Sequence, residues 1–439
     1  MDGLSEICAI GGNNMKSMPL ALGLFALTYV LMLMLPKYRK FVALGSAAVF
    51  VVTGMLPLEN VLGVISWNVI MMIAGTMGIV SLFIDSKMPA RMADVLLDHV
   101  PNVKWAVVAL ALFSGLISAF VDNVATVLMV APVAMAIVKR LNINPVPVII
   151  AIAVSSNLQG AATLVGDATA IMLGDYANMN FMDFLVYQGK PGIFFAVELG
   201  AVCSAIILLV MFRKESAPVP KSKPTEVTDY VPTVLLLGTI VLLIVASFLP
   251  GMPENINGYI CMTLMVMGLI YAAVSQKSWK ALIKPIQEID YDTILLLLGL
   301  FIVIGGITEQ GVIEEMAKLL SRVGGNSPFL TYTIIVWISV LCSAFVDNIP
   351  YVLTMLPVVQ SMADSMGMDP TPLYFGLLSG ATLGGNLTPI GASANITGIG
   401  ILRKAGFEVQ NKDFFKIGIP FTLAAIIPAY IFIWLLFGV

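Results

Sequence analysis

Ser118-Ala-Phe-Val-Asp-Asn123 and Ser343-Ala-Phe-Val-Asp-Asn348 are the same six residues, 225 positions apart. The match extends outward. Over Ser118–Val133 ten of sixteen positions repeat without a gap, and Pro132 falls on Pro357. At the same offset Leu158, Gly160, Thr163, Gly166 and Ile171 fall on Leu383, Gly385, Thr388, Gly391 and Ile396. At an offset of 224 Met92-Ala93 falls on Met316-Ala317. Apolar bias produces scattered leucine and valine matches, but not a six-residue identity that carries Asp-Asn. The chain reads as an internal duplication.

The two copies sit in a very apolar chain. It is 59% hydrophobic and 11% charged, where soluble domains carry about 45–50% and about 25%. Lipid is therefore the expected surrounding. A net charge of −3 gives no reason to expect a nucleic-acid partner. Cys8, Cys203, Cys261 and Cys342 have no metal or redox spacing, and three lie in apolar runs. They read as small buried hydrophobes. The single histidine, His99, lies in a polar connection, which leaves no histidine-based metal site or triad. No cleavable signal is expected, because no basic region precedes the first apolar run.

Membrane-length apolar stretches recur along the chain. Spans are expected at Leu20–Leu35, Phe41–Pro57, Ile65–Ile84, Gly192–Phe212, Val231–Leu249, Ile256–Val274, Asp292–Ile307 and Ile417–Phe437. Two regions do not fit simple spans. Trp105–Val138 is interrupted by the first hexapeptide, which suits a re-entrant hairpin with two short legs. Pro145–Gly174 is interrupted by Gly160, Gly166 and small polar residues, which suits a helix broken halfway. Both shapes recur, at Phe329–Met362 and Pro372–Leu402. Short amphipathic helices, Pro89–Asp98 and Gly311–Arg322, precede the hairpins and are expected at the interfaces.

Lysine and arginine orient the thread. With Lys37–Lys40 cytoplasmic and each hairpin returning to its own side, 19 of the 23 Lys and Arg residues fall inside. Only Lys16, Lys190, Lys318 and Arg322 fall outside. The first hairpin then enters from the cytoplasm and the second from outside, so the copies are inverted. The expected fold is an all-α polytopic membrane protein of two inverted repeats, each with spanning helices, a re-entrant hairpin and a broken helix. That makes about ten spans plus two hairpins. Residues 1–212 form the first repeat, 213–230 a cytoplasmic linker and 231–439 the second repeat, with both termini outside.

The apolar segments hold no Lys, Arg or His; their acids are Asp122, Asp167, Glu198 and Asp347. A charge at the bilayer centre costs about 2.5–3.5 kcal/mol on insertion scales. These acids must be protonated, hydrogen-bonded or matched by a bound cation. Asp122 and Asp347 occupy equivalent hairpin tips, each followed by an asparagine, Asn123 or Asn348. Carboxylate, amide and free carbonyl oxygens gathered at such a tip are hard ligands, suited to Na⁺ or a proton. The plainer reading is that Asp-Asn caps the tip helix, although Ser or Asn would do so at lower cost.

The broken helices supply the other wall. Ser155, Ser156, Asn157, Thr163 and Asp167 surround Gly160 and Gly166; Asn386, Thr388, Ser393 and Asn395 surround Gly384, Gly385 and Gly391. Glycine permits unwound backbone that exposes carbonyls to a cation and helix N-termini to negative charge. The plainer reading is glycine for close helix packing. Ser118 and Ser343 complete the candidate set at the tips. Glu198 lies two turns into its span and either snorkels or pairs locally. Asp290 and Asp292 read as flanking charges, and Trp67 and Trp105 as interfacial anchors.

At these residues the chain resembles the ion transporter superfamily, specifically its ArsB/NhaD group, which includes the P protein. Four motifs carry the resemblance: Ser118–Asn123, Ser156-Asn-Leu-Gln-Gly-Ala-Ala-Thr-Leu-Val-Gly-Asp167, Ser343–Asn348 and Gly384-Gly-Asn-Leu-Thr-Pro-Ile-Gly-Ala-Ser-Ala-Asn395. It implies a transport core, residues 105–174 and 328–402, against a scaffold of the remaining helices. It also implies a homodimer, elevator-like alternating access and a prokaryotic cytoplasmic membrane. One departure stands out. Where the family often has Pro-Pro-Asn after Gly-Asp, this chain has Ala168-Thr169-Ala170.

The expected function is Na⁺/H⁺ antiport, with Asp122 and Asp347 alternately binding the two ions and no other cofactor. Proton-coupled efflux of a neutral acid such as arsenite also needs no positive side chain. Na⁺-coupled di- or tricarboxylate transport is disfavoured by the acidic site. An intramembrane enzyme is not expected, since no Gly-x-Ser-x-Gly, His-Glu-x-x-His or paired-Asp protease pattern occurs. The topology predicts that a cysteine at Lys223 is labelled by an impermeant thiol reagent only in opened or inverted vesicles. Labelling from outside intact cells would reverse the thread.

Overall fold

The computed structural model describes residues 2–141, 143–219, 224–278, 280–325 and 327–438. Lys221 and Lys223 lie outside the described residues. Through the first half run α1 (Asp2–Met34), α2 (Arg39–Val52), α3 (Val61–Val64), α4 (Trp67–Asp85), α5 (Met88–Asp98), α6 (Val103–Ser118), α7 (Asn123–Leu141), α8 (Pro145–Gln159), α9 (Ala168–Tyr176), α10 (Phe181–Leu185) and α11 (Ile193–Met211). The second half holds α12 (Val231–Ser247), α13 (Ile256–Ser275), α14 (Lys280–Gln287), α15 (Tyr291–Glu309), α16 (Val312–Gly324), α17 (Pro328–Ser343), α18 (Asn348–Met366), α19 (Thr371–Gly384), α20 (Ser393–Lys404) and α21 (Asn411–Phe437).

The helix starts are written in the sequence. Ser66, Asn102, Asn144, Asp290 and Ser327 each accept a backbone N–H of the first turn. Pro145, Pro232, Pro328 and Pro372 occupy first-turn positions, where the missing N–H costs nothing.

Helix pairs close on glycine. A Cβ on Gly75 of α4 would stand 2.5 Å from the Cys261 carbonyl carbon of α13, and one on Gly299 of α15 would stand 2.7 Å from that of Ala43 in α2. Gly75 and Gly299 are 224 positions apart, so equivalent glycines close one contact from each half onto the other. On α19, Gly376, Gly380 and Gly384 face α17, with Val336 O and Val340 O 2.6 and 2.5 Å from the Cβ positions of the last two. Gly384 is thus a packing glycine, and the small-xxx-small reading holds there.

Leucines, valines and phenylalanines stay exposed in rows, such as Phe195, Leu199, Val202 and Ile206 on α11. Faces of this kind need lipid. Among the described residues five helices are long and apolar enough to cross a membrane: α4, α11, α13, α15 and α21. The expected spans Leu20–Leu35 and Phe41–Pro57 form a pair bent by 115°, and α2 ends at Val52 because Gly54 turns the chain at φ 73°. α12 is 17 residues long, at the lower end of the spanning range.

Other details differ from the sequence reading. The chain is not wholly α-helical: Val186–Tyr187 pairs with Lys190–Pro191 in a two-stranded ribbon. Gln188 and Gly189, at φ 51° and 74°, make the turn. The linker is tied down at both ends. Lys104 N donates to Glu215 O at 2.9 Å, and Thr225 N donates to Asp94 Oδ2 of α5 at 2.7 Å. Cys261 is buried, whereas Cys203 and Cys342 are half-buried.

Gly384→Val should lower thermal stability in detergent by about 1–3 kcal/mol or more, since backbone cannot yield as a side chain can. Gly238, with nothing within 4 Å of its Cβ position, should tolerate alanine and gain about 0.5–1 kcal/mol of helix stability. Equal melting of the two variants would refute this packing.

Candidate functional site

Both hexapeptides fall at helix breaks. α6 ends at Ser118 and α7 starts at Asn123; α17 ends at Ser343 and α18 starts at Asn348. Each break is locked in the same way. Ser118 Oγ donates to Asn123 Oδ1 at 2.7 Å, and Ser343 Oγ donates to Asn348 Oδ1. Thr163 Oγ1 donates to Ala119 O, and Thr388 Oγ1 to Ala344 O. A Cβ on Gly166 would stand 2.6 Å from Gly160 O and 2.9 Å from Ala119 O; on Gly391 it would stand 2.6 Å from Gly385 O and 2.9 Å from Ala344 O. Glycine is required at both positions by close approach to carbonyls, not by φ.

The two broken helices meet across the halves. Asn157 Nδ2 donates to Thr382 O at 2.6 Å and to Asn386 Oδ1 at 3.1 Å, while its own Oδ1 accepts from Asn123 Nδ2 at 3.2 Å. Asn386 Nδ2 donates to Val154 O at 2.8 Å. Ser156 Oγ donates to Asn123 O at 3.0 Å. The network is buried and joins the first tip to both breaks.

Both aspartates cap their helices, as the plainer reading expects. Asp122 Oδ1 accepts from Val124 N and Ala125 N at 2.9 and 3.2 Å, and Asp347 Oδ1 accepts from Ile349 N at 3.2 Å. Both also line one cavity of about 460 Å³. Asn123, Asn157, Asp167, Asn348 and Ser393 share that wall. Ser118, Gly160, Thr163, Ser343, Gly385, Asn386, Thr388 and Asn395 do not line it; they hold the breaks in shape. Asn395 Nδ2 donates to Gly385 O and Thr388 O, both at 3.0 Å. Its buried Oδ1 has no partner among the described residues. Ala170 stands at the equivalent place in the first half.

Asp347 corrects the expectation that no base meets the acids. Arg39 Nη1 lies 3.0 Å from Asp347 Oδ2, with side chains 23% and 18% exposed. Arg39 comes from the connection between two spans, not from a span, and its run Lys37–Lys40 had served only to orient the chain. Asp290 is likewise more than a flanking charge. It caps α15 and lines the cavity, with Glu288 beside it. Glu288, Tyr29 and Thr169 were not singled out from sequence. Ser81 Oγ donates to Glu288 Oε2, and Thr169 Oγ1 to Asp167 Oδ2 at 3.1 Å. Glu198 lies apart from the cavity lining, with Oε1 buried and unpartnered among the described residues.

The cavity wall thus carries five carboxylates, Asp122, Asp167, Glu288, Asp290 and Asp347, and no Lys, Arg or His. Among the described residues no three His, Cys, Asp or Glu converge as a metal cluster. A cation at either tip would therefore draw on amide and main-chain oxygens as well as one carboxylate, a hard, weakly charged ligand set.

Residues 29–380 match the family model described as a citrate transporter. An uncharacterized transporter of Mycobacterium tuberculosis is 31% identical over 424 residues, 94% of this chain and 97% of the relative. The human P protein is 25% identical over 73% of this chain and 48% of its own length, in keeping with the resemblance drawn from the four motifs. In fold, the chain is similar to the YdaH transporter of Alcanivorax borkumensis, with a TM-score of 0.61 at 13% identity over 86% of both chains. It is also similar to MtrF of Neisseria gonorrhoeae, with a TM-score of 0.55. The protein is an integral membrane transporter, and the chain belongs to the citrate transporter family.

Proposed function

We propose that the protein is a secondary transporter that exchanges a cation, Na⁺ in the first instance, for protons at the two helix-break tips. The observation that carries this reading is the cavity wall with five carboxylates and no lining base. Such a wall attracts cations and protons and repels free anions. The Asp-Asn tips supply one carboxylate and one amide each, on backbone that the break leaves open. A proton and a cation then compete for the same carboxylates, which is the minimal requirement for exchange.

The lysine and arginine bias gives the cavity a side. In the expected topology Ile84 ends one span at the cytoplasmic side and Glu288 and Asp290 lie just before the start of another, so this cavity opens inward. A second cavity of about 960 Å³ is lined by Trp67, Asn68, Glu254, Asn255 and Glu309, at the outer ends. The two cavities share no lining residue. A site reached from one side only, between inverted repeats, supports alternating access of an elevator kind, with residues 105–174 and 328–402 as the moving core and the rest as scaffold. Homodimerisation follows only from the superfamily resemblance.

A second reading is cation-coupled carboxylate transport. The family description names citrate, and α20 starts with an N-cap, Ala392, whose side chain accepts no N–H. Ala392, Ser393 and Ala394 line the cavity. An open helix N-terminus suits a carboxylate, although five wall carboxylates require cations to bind first. Both readings therefore place a cation at the tips. Arsenite efflux gains no specific support.

Proteoliposomes with imposed gradients decide between them. Antiport predicts that an inward Na⁺ gradient drives proton efflux with no organic anion present, whereas coupled transport predicts labelled citrate uptake that requires the cation. Silence of both fluxes would sink the cation reading. Asp122→Asn should lower flux by about 100-fold or more, the effect of losing some 3 kcal/mol of charge pairing, with expression unchanged. Asp347→Asn should also lose flux. Normal transport in the double variant would remove both carboxylates from the mechanism.

A further inference from the structure

Arg39 stands where the connection between the two halves of the 115° bend meets the second tip. Three polar ties join this region to α18. Tyr29 Oη donates to Pro350 O at 2.7 Å and shares a hydrogen bond with Thr354 Oγ1, and Arg39 reaches Asp347. Arg39 Nε also donates to Met32 O at 3.4 Å, which holds the guanidinium to the end of α1. A crevice of about 140 Å³ lies under this contact, between Arg39, Asp292, Leu296 and Asp347. It shares Thr293, Asp347, Ile349 and Ser393 with the large cavity.

The first tip has nothing comparable. Asp122 makes its cap and faces the cavity, and no Lys, Arg or His lines that wall. The two tips share their sequence and their lock, yet among the described residues only the second carries a built-in counter-ion. Asp347 has two oxygens. One caps α18 and the other is taken by Arg39. A cation that binds through Asp347 therefore meets a guanidinium that already holds Oδ2 and competes with it in charge.

We propose that Arg39 is a positioning residue that acts as a tethered counter-ion: it holds the second tip to α1–α2 while the site is empty and yields Asp347 to the arriving cation. The inference rests on the cation reading above. It makes the occupied and empty states of the tip differ in what they are tied to. With a cation at Asp347, Arg39 is released and the tip is held to α1 by the Tyr29 ties. Without one, the pair closes and the tip stays docked. A tie of this kind discourages movement of the empty site, which is what coupled exchange requires. The side chains are partly exposed, so the pair is weak enough to exchange and strong enough to bias the tip.

The labelling half of the test reads the latch without needing transport. Leu296→Cys, placed in a chain whose native cysteines are alanine, reports on the crevice through its labelling rate by a small thiol reagent in inverted vesicles. Arg39→Gln should speed labelling about tenfold and lower the half-saturating Na⁺ concentration for flux about tenfold, as expected when a competitor worth one decade of affinity is removed. Arg39→Lys should keep both near the starting values. Added Na⁺ should speed labelling when Arg39 is present and not when it is glutamine. In an Asp347→Asn background, Arg39→Gln should leave the labelling rate unchanged. An unchanged labelling rate in Arg39→Gln, or an undiminished effect in the Asp347→Asn background, would overturn the proposal. Labelling that responds to Arg39 and Asp347 but not to Na⁺ keeps the latch and removes the Na⁺ reading instead.

Discussion

The fit of glycine against carbonyl at the two helix breaks is the contact on which the rest of the structure depends. A helix that stops inside an apolar layer leaves N–H and C=O groups that lipid cannot satisfy. Here the stopped hairpin legs and the stopped broken helices answer each other. Gly166 and Gly391 let a broken segment lie against the carbonyls of a tip, and Thr163 and Thr388 donate to those same tips. Neither break is viable alone. Each is the other's hydrogen-bonding environment, and together they bring open backbone, two carboxylates and two amides to one cavity.

The duplication is faithful in this scaffolding and unfaithful in the chemistry placed on it. Serine, asparagine, threonine and glycine repeat at an offset of 225, with the same contacts at nearly the same distances. Beyond the tip aspartates, several polar residues of the broken helices do not repeat. Asp167 faces Ala392 in the alignment, Asn157 faces Thr382, Asn386 faces Ala161 and Asn395 faces Ala170. The first half therefore ends its break in a carboxylate. The second ends its break in an amide that closes two of its own carbonyls and in an uncapped helix start. The tips repeat in full, while the broken helices keep their glycines and threonines and differ in the polar residues between them.

This division explains what could be read from sequence. Breaks, tips and broken helices were legible because they rest on local signals: a repeated hexapeptide, glycines in apolar runs, polar residues clustered at one depth. The Asp-Asn tips and Asp167 were legible because a charge in an apolar run needs a reason. Arg39 was not, because a basic residue between spans already has a sufficient explanation in membrane orientation. Asp290 was missed for the same reason, since acids at a span's end are unremarked until the fold turns them toward a cavity. The split of the candidate set was also invisible. Asn157 and Asn386 are both polar residues beside glycines, yet one lines the cavity and the other spends its amide on Val154 O.

The unequal halves have a consequence for how charge can move. A carrier whose site is net acidic must cross the membrane either loaded or neutralised, because bare carboxylates at the bilayer centre are costly. Asp347 has an internal solution in Arg39, available only while the tip lies against α1–α2. Asp122 and Asp167 have no base on their side of the cavity wall and depend on ions from solution. On the proposed cation exchange, the second tip is neutral when empty and docked, and the first is neutral only when occupied. A counter-ion on one side alone would then give two half-sites of one duplication different rules for movement, through one guanidinium outside every repeated motif.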